Sequence, residues 1–91
     1  MSMIDSAGVD ALDARMTPRT CKAARVLLKM EQIDLAQRAG VNVQTLRNYE
    51  NEVSEPTHKT WLAIKRALEQ AGVAFIDENG GGPGVRLRKV K

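Results

Sequence analysis

The sequence has few aromatic residues, one cysteine and one histidine in a chain of 91 residues. Because Tyr49, Trp61 and Phe75 are its only aromatics, the core must be mainly aliphatic and alanine-rich, which favours close helix packing. The single cysteine, Cys21, excludes an intramolecular disulfide framework and is typical of a reducing cytoplasm, where we expect the protein to reside. No apolar run approaches the roughly 20 residues of a membrane span, so no membrane partner is expected.

Residue combinations that support catalysis or metal binding are also scarce. The only histidine, His58, has no clustered acids or second cysteine beside it, so a metal site is not expected. The glycine-rich segment 80–84 lacks the Lys-Ser/Thr ending of a phosphate-binding loop and is predicted to be a turn. We therefore predict no catalytic residues, no cofactor and no enzymatic activity, and a single small binding domain instead.

Charge is distributed unevenly along the chain. The formal net charge is +3, but Asp5, Asp10 and Asp13 all precede the first basic residue, Arg15. From Arg15 onwards, 14 basic residues stand against 8 acidic ones, a net charge of +6. Residues 85–91 contain four basic residues and no acid. This balance favours a polyanionic partner.

Hydrophobic spacing and capping residues predict four helices. Thr17 followed by Pro18 marks the start of the first, Gly40 the end of the second and Asn42 the start of the third. The fourth helix carries an apolar stripe and ends at Gly72. The predicted helices cover residues 18–29, 32–39, 42–50 and 57–71.

The period of the apolar residues changes after Gly72. Residues 73–76 and 85–88 are predicted strands, joined by the turn-forming segment 77–84. An isolated hairpin is marginally stable, so it should pack on the helices or on a second subunit. We divide the chain into a flexible or short-helical lead (1–16), a helical domain (17–72), and a hairpin with a basic tail (73–91).

Residues 32–49 have the spacing of a helix-turn-helix. Ala36 provides the small side chain where two steeply crossing helices touch, and Gly40 provides the left-handed residue of the turn. Leu46 lies on the side of the third helix that would be buried. The outward positions of that helix are left free for a groove: Val43, Gln44, Arg47 and Asn48.

The pattern resembles the lambda-repressor/Cro-like (XRE-type) helix-turn-helix regulators. The residues that carry the resemblance are Gln32-Ile33-Asp34-Leu35-Ala36, Gly40-Val41-Asn42, Gln44-Thr45-Leu46, Glu50-Asn51 and Pro56. It extends over about residues 17–72. The implied fold is mainly α, a four-helix lambda-repressor-like domain, to which the C-terminal two-stranded β-hairpin is an addition.

The resemblance implies double-stranded DNA as the partner, with the third helix in the major groove. The implied base contacts are Val43, Gln44, Arg47 and Asn48. The implied phosphate contacts are Gln32, Asn51 and Lys59. Amides suit adenine, arginine suits guanine, and valine suits the thymine methyl group.

Four further positions follow from the comparison with this family. Arg25 and Glu50 match positions that pair in some members, and the alternative is two solvated surface charges. Glu31 stands where a Ser or Thr usually caps the second helix, and Glu52 replaces a common glycine. Both acids should weaken the positive field near the groove.

One such helix reads only about half of a genomic site, so we predict a homodimer on an inverted repeat. Our hypothesis is that the hairpin forms the dimer, by strand pairing or by packing of Phe75 and Ile76 on the partner. A transcriptional regulator, acting as a repressor, is the predicted function. The alternative is an antitoxin that also neutralises a toxin partner protein through a segment outside the DNA-binding unit.

Overall fold

Four helices and a hairpin make up the computed structural model, which describes residues 15–76 and 82–88. The helices are α1 (Pro18–Leu27), α2 (Gln32–Ala39), α3 (Val43–Glu50) and α4 (His58–Ala71), and the strands are β1 (Val73–Ile76) and β2 (Gly84–Leu87). The predicted fold class, four helices with a C-terminal two-stranded hairpin, is confirmed. Most of the predicted lead, part of the turn and the end of the basic tail lie outside the described residues.

Helix α1 begins as predicted but ends two residues early. The Thr17 hydroxyl accepts a hydrogen bond from the Thr20 amide (3.1 Å), and the Thr20 hydroxyl accepts one from the Thr17 amide (2.8 Å). The helix was expected to reach Lys29 but ends at Leu27, and Lys29 takes a left-handed φ of 56°. The sequence did not reveal this end, because no glycine or proline lies there and a lysine rarely adopts the left-handed conformation.

The other helix boundaries follow their local signals. Gly40 takes a φ of 72°, and the Val41 amide donates to the Ala36 carbonyl across the turn (3.0 Å). Asn42 caps α3 by accepting from the Gln44 amide (2.7 Å), and Thr57 caps α4. Capping residues and a left-handed glycine therefore define these helix ends.

The core is aliphatic, as the shortage of aromatics predicted. Its largest fully buried side chains belong to Leu35, Leu46, Ile64, Leu68, Val73 and Cys21. Met16, assigned from the sequence to the lead, is also buried, and its carbonyl accepts hydrogen bonds from the Tyr49 hydroxyl and the Trp61 indole (3.1 Å each). The two polar aromatics thus fix the chain at the entrance to α1.

The hairpin is part of the same core. Strands β1 and β2 are antiparallel, with Val73 opposite Leu87 and Phe75 opposite Val85, so β2 lies one residue earlier than predicted. Val73 and Phe75 point inwards and are buried, whereas Ile76 is 39% exposed. The hypothesis that Phe75 packs on a partner subunit is therefore wrong, because its ring fills the core of its own chain.

Candidate nucleic-acid interface

Ala36, Gly40 and Leu46 were predicted to shape the helix-turn-helix. In the α2–turn–α3 unit each of them has the surroundings or the backbone conformation that its predicted role requires. Ala36 is 2% exposed within the core, where a larger side chain would separate the helices. Gly40 has no neighbouring atom within 4 Å of an added Cβ, so its requirement is the positive φ rather than space. Leu46 is fully buried, which turns the opposite side of α3 towards solvent.

The outward side of α3 carries the four predicted base-reading residues. Gln44 and Arg47 are exposed, whereas Val43 and Asn48 are half-buried, with Val43 packed partly against the core. The Gln44 side-chain amide donates to the Asn48 side-chain carbonyl (3.1 Å), one helical turn away. This bond orients the two amides with respect to each other and leaves the Gln44 carbonyl and its second N–H available.

Gln32 lies at the start of α2, where its side chain connects a buried group to an exposed one. Its amide nitrogen donates to Glu50 Oε1 (2.9 Å), and its carbonyl oxygen accepts from Arg47 Nε at the longer distance of 3.4 Å. The resemblance implied only a phosphate contact for Gln32. The structure adds an internal role, because the amide links α2 to the buried Glu50 and to the exposed Arg47 of α3.

Glu50 and Arg25 form a buried, bidentate ion pair and not two solvated charges. Arg25 Nη2 donates to Glu50 Oε1 (2.9 Å) and Arg25 Nε to Glu50 Oε2 (3.0 Å), while Arg25 Nη1 donates to the Met30 carbonyl (3.1 Å). The Glu50 side chain is fully buried, and that of Arg25 is 13% exposed. The thiol of Cys21 also donates to Glu50 Oε2 (3.4 Å).

These neighbours determine the ionisation of the pair. Burial alone would raise the pKa of Glu50, but hydrogen bonds from Arg25 and Gln32, together with the charge of Arg25, outweigh it and lower the pKa below its ordinary value. The hydrogen bond with Glu50 raises the pKa of Arg25. Burial and the Glu50 charge raise the pKa of the Cys21 thiol, so Cys21 is an unreactive core residue.

A continuous chain of contacts results, from Arg25 through Glu50 and Gln32 to Arg47. The pairing of Arg25 with Glu50 was an open alternative in the sequence, whereas the links from Gln32 to Glu50 and Arg47 were missed. Helical spacing shows which residues share a face of one helix but not which atoms of α2 and α3 meet. Only the crossing of the two helices brings them together.

The remaining predicted contacts lie on the surface around α3. Asn51 follows the last residue of α3, and Lys59 lies in the first turn of α4; both are exposed. Glu52, where a glycine was expected, takes a left-handed φ of 60°. The sequence departs from the family pattern at the very residue whose backbone favours glycine.

The described residues contain no group of three or more His, Cys, Asp or Glu side chains placed to hold a metal ion. None of the described helices is long and apolar enough to cross a membrane.

Comparison with known proteins agrees with this geometry. The family model HTH_3, described as helix-turn-helix, matches residues 22–71, which is more than half of the chain and includes α2, α3 and α4. No curated protein matches the chain. The chain therefore belongs to the XRE/lambda-repressor-like helix-turn-helix family of DNA-binding regulators.

Proposed function

We propose that the protein is a sequence-specific transcriptional repressor of the cytoplasm that binds double-stranded DNA as a homodimer and inserts α3 into the major groove. The observation that carries the proposal is the exposed side of α3, where Gln44 and Arg47 project from a helix anchored by the buried Leu46. A helix held in this way presents its side chains to base edges at low entropic cost.

The chemistry of α3 supports direct reading of bases. The free carbonyl and second N–H of Gln44 match the bidentate pattern of adenine, and Arg47 matches that of guanine. Asn48 orients Gln44, and the exposed part of Val43 suits a thymine methyl group. Each good base contact contributes about 1–3 kcal/mol of discrimination.

Phosphate contacts would fix the position of α3 in the groove. Asn51 and Lys59 are exposed on either side of the loop between α3 and α4. Gln32 keeps one amide N–H for a phosphate after donating the other to Glu50. Contacts of this kind set orientation and salt dependence but read no sequence.

The hairpin supports dimer formation through its outer surface. The described sheet has only two strands, so each strand leaves one edge without a further strand. Ile76 points away from the core and is 39% exposed. Two copies joined about the hairpin would present two α3 helices to half-sites about one DNA turn apart.

Selection from randomised DNA duplexes tests the proposal. We expect the full chain to enrich an inverted repeat, and Arg47→Ala and Gln44→Ala to lose preference at particular base pairs. Lys59→Ala should weaken binding to all DNA sequences alike and reduce the slope of log affinity against log salt by about 1. Arg66→Ala, also a change of an exposed cation, serves as the matched control. Two outcomes would refute the assignment of α3 as the helix that reads bases. The first is that selection enriches no sequence, and the second is that Arg47→Ala selects the same site and binds it with the same affinity.

A further inference from the structure

An apolar groove lies between α1 and β2, outside the α2–turn–α3 unit. It has a volume of about 540 Å³. Val26 and Leu27 in its wall are 64% and 41% exposed, an unusual state for adjacent aliphatic residues of a small domain. The lining residues are Arg19, Lys22, Ala23, Val26, Leu27 and Val85.

The rim of this groove is positively charged and poorly neutralised. Within residues 15–76 and 82–88, Lys22 has no ion-pair partner. Arg19 approaches Glu52 at 3.9 Å, but its side chain is 90% exposed, so this pair contributes little. An occupant of the groove would therefore combine apolar side chains with negative charge.

The part of the lead that precedes Arg15, residues 1–14, has this composition. It contains Asp5, Asp10 and Asp13 together with Ile4, Val9 and Leu12, and it contains no lysine or arginine. Val9, Leu12 and the buried Met16 are spaced three and four residues apart, as on one face of a helix.

The lead is also attached close to the groove. It joins the described chain at Arg15, only four residues before Arg19 in the groove wall. From Arg15, six extended residues span about 20 Å, so Val9 can reach any part of α1, which is only about 15 Å long.

We propose that the lead folds back and occupies this groove of its own chain, with its aliphatic residues on Val26 and Leu27 and its carboxylates beside Arg19 and Lys22. The same groove of a second copy of the chain is a less suitable partner for this surface. A two-fold contact would bring Arg19 and Lys22 of both copies into one interface, where like charges repel. The proposal does not depend on DNA binding, because every atom it uses lies outside the residues assigned to DNA.

Disulfide formation between engineered cysteines tests the proposal in the full chain without DNA. Val9→Cys is combined with Ala23→Cys in the groove or, as control, with Glu55→Cys. Glu55 lies in the same surface pocket as Arg15, so an undocked lead would meet Glu55→Cys at least as often as Ala23→Cys. The natural Cys21 is fully buried and does not compete.

Docking predicts that the Val9–Ala23 pair forms an intramolecular disulfide about tenfold faster than the Val9–Glu55 pair. Arg19→Glu with Lys22→Glu should slow the Val9–Ala23 reaction about fivefold, and adding Asp10→Lys and Asp13→Lys should restore it. Circular dichroism of each reduced variant checks that the helical fold is retained.

Three outcomes would overturn the proposal. Equal rates for the two cysteine pairs would mean that the lead does not occupy the groove. Disulfide-linked dimers as the main product would mean that a second copy does. Rates unaffected by the charge reversals would remove the charge complementarity on which the proposal rests.

Discussion

At the scale of single residues, Glu50 is the most consequential side chain of the domain. Its carboxylate is fully buried, yet it accepts hydrogen bonds from Arg25 on α1, Gln32 on α2 and Cys21. A buried pair of this kind is costly to desolvate and costlier to break, because the remaining partner keeps an uncompensated charge. Glu50 therefore ties three helices together through one functional group.

Replacing this carboxylate by its neutral amide, Glu50→Gln, should lower the free energy of unfolding by about 3 kcal/mol at neutral pH. The native pKa of Glu50 lies below its ordinary value, so as the pH falls the unfolded chain binds the proton first. The contribution of the charge is complete above the ordinary glutamate pKa and disappears as the pH falls through the lower native pKa. The difference between the wild-type protein and the variant should therefore shrink as the pH falls below the ordinary glutamate pKa of about 4.3.

Urea unfolding at neutral and acid pH measures this difference. Glu52→Gln, which removes a carboxylate with 59% side-chain exposure and a distant partner, is the control and should change stability by less than about 0.5 kcal/mol. A Glu50→Gln loss of the same size at both pH values would show that the effect does not come from the charge.

At the scale of secondary-structure elements, two connections contain non-glycine residues in the left-handed conformation. Lys29 lies between α1 and α2 with a φ of 56°, and Glu52 follows α3 with a φ of 60°. For a residue with a Cβ, this conformation costs about 1–2 kcal/mol. Both connections therefore carry a strain that the glycine at position 40 avoids.

Glycine at either strained position should stabilise the domain by about 1 kcal/mol, since the relief of strain exceeds the added backbone entropy of the unfolded chain. Thermal unfolding of Glu52→Gly and Lys29→Gly measures this gain. Only Glu52→Gly also removes a negative charge near the proposed phosphate contacts, so it alone should bind DNA about two- to tenfold more tightly at low salt. Equal DNA affinity for both variants would place Glu52 away from the DNA.

Local signals determined which element ends could be predicted. Thr17, Asn42 and Gly40 act on backbone groups within four residues, and the boundaries they mark agree with the structure. The end of α1 was missed because the turn at Lys29 is held by Arg25, whose Nη1 hydrogen-bonds to the Met30 carbonyl while its other nitrogens bind Glu50. Glu50, which is distant in the sequence, thus helps to hold a local turn through Arg25.

At the scale of the whole molecule, the hairpin belongs to the domain core and also offers a free outer surface. Removing it at Gly72 would delete Val73 and Phe75 from the core, so truncation would confound folding with association. A single exposed residue of the outer surface is a cleaner probe. Ile76 points away from the helices and is suitable for this purpose.

If the hairpin forms the dimer, Ile76→Arg should raise the dimer dissociation constant at least about tenfold, because each interface would lose two buried isoleucines and gain two charges. Sedimentation equilibrium measures the constant, and thermal unfolding checks that the monomer fold is kept. Val53→Arg, at an aliphatic residue with 69% exposure in the loop after α3, is the matched control. Unchanged association of Ile76→Arg would assign the dimer to another surface.

The four helices, the turn at Gly40, the hairpin and the family could be predicted from the sequence, because caps, left-handed glycines and apolar periodicity act over a few neighbouring residues. The seven residues assigned to DNA also came from the sequence, and their roles stay predictions. The folded structure was needed to show that Arg25 and Glu50 pair, that Gln32 bridges Glu50 and Arg47, and that Phe75 packs in the core of its own chain. Those partners are 15 or more residues apart along the chain, and their contacts depend on how helices cross and strands dock, which spacing along one element does not specify.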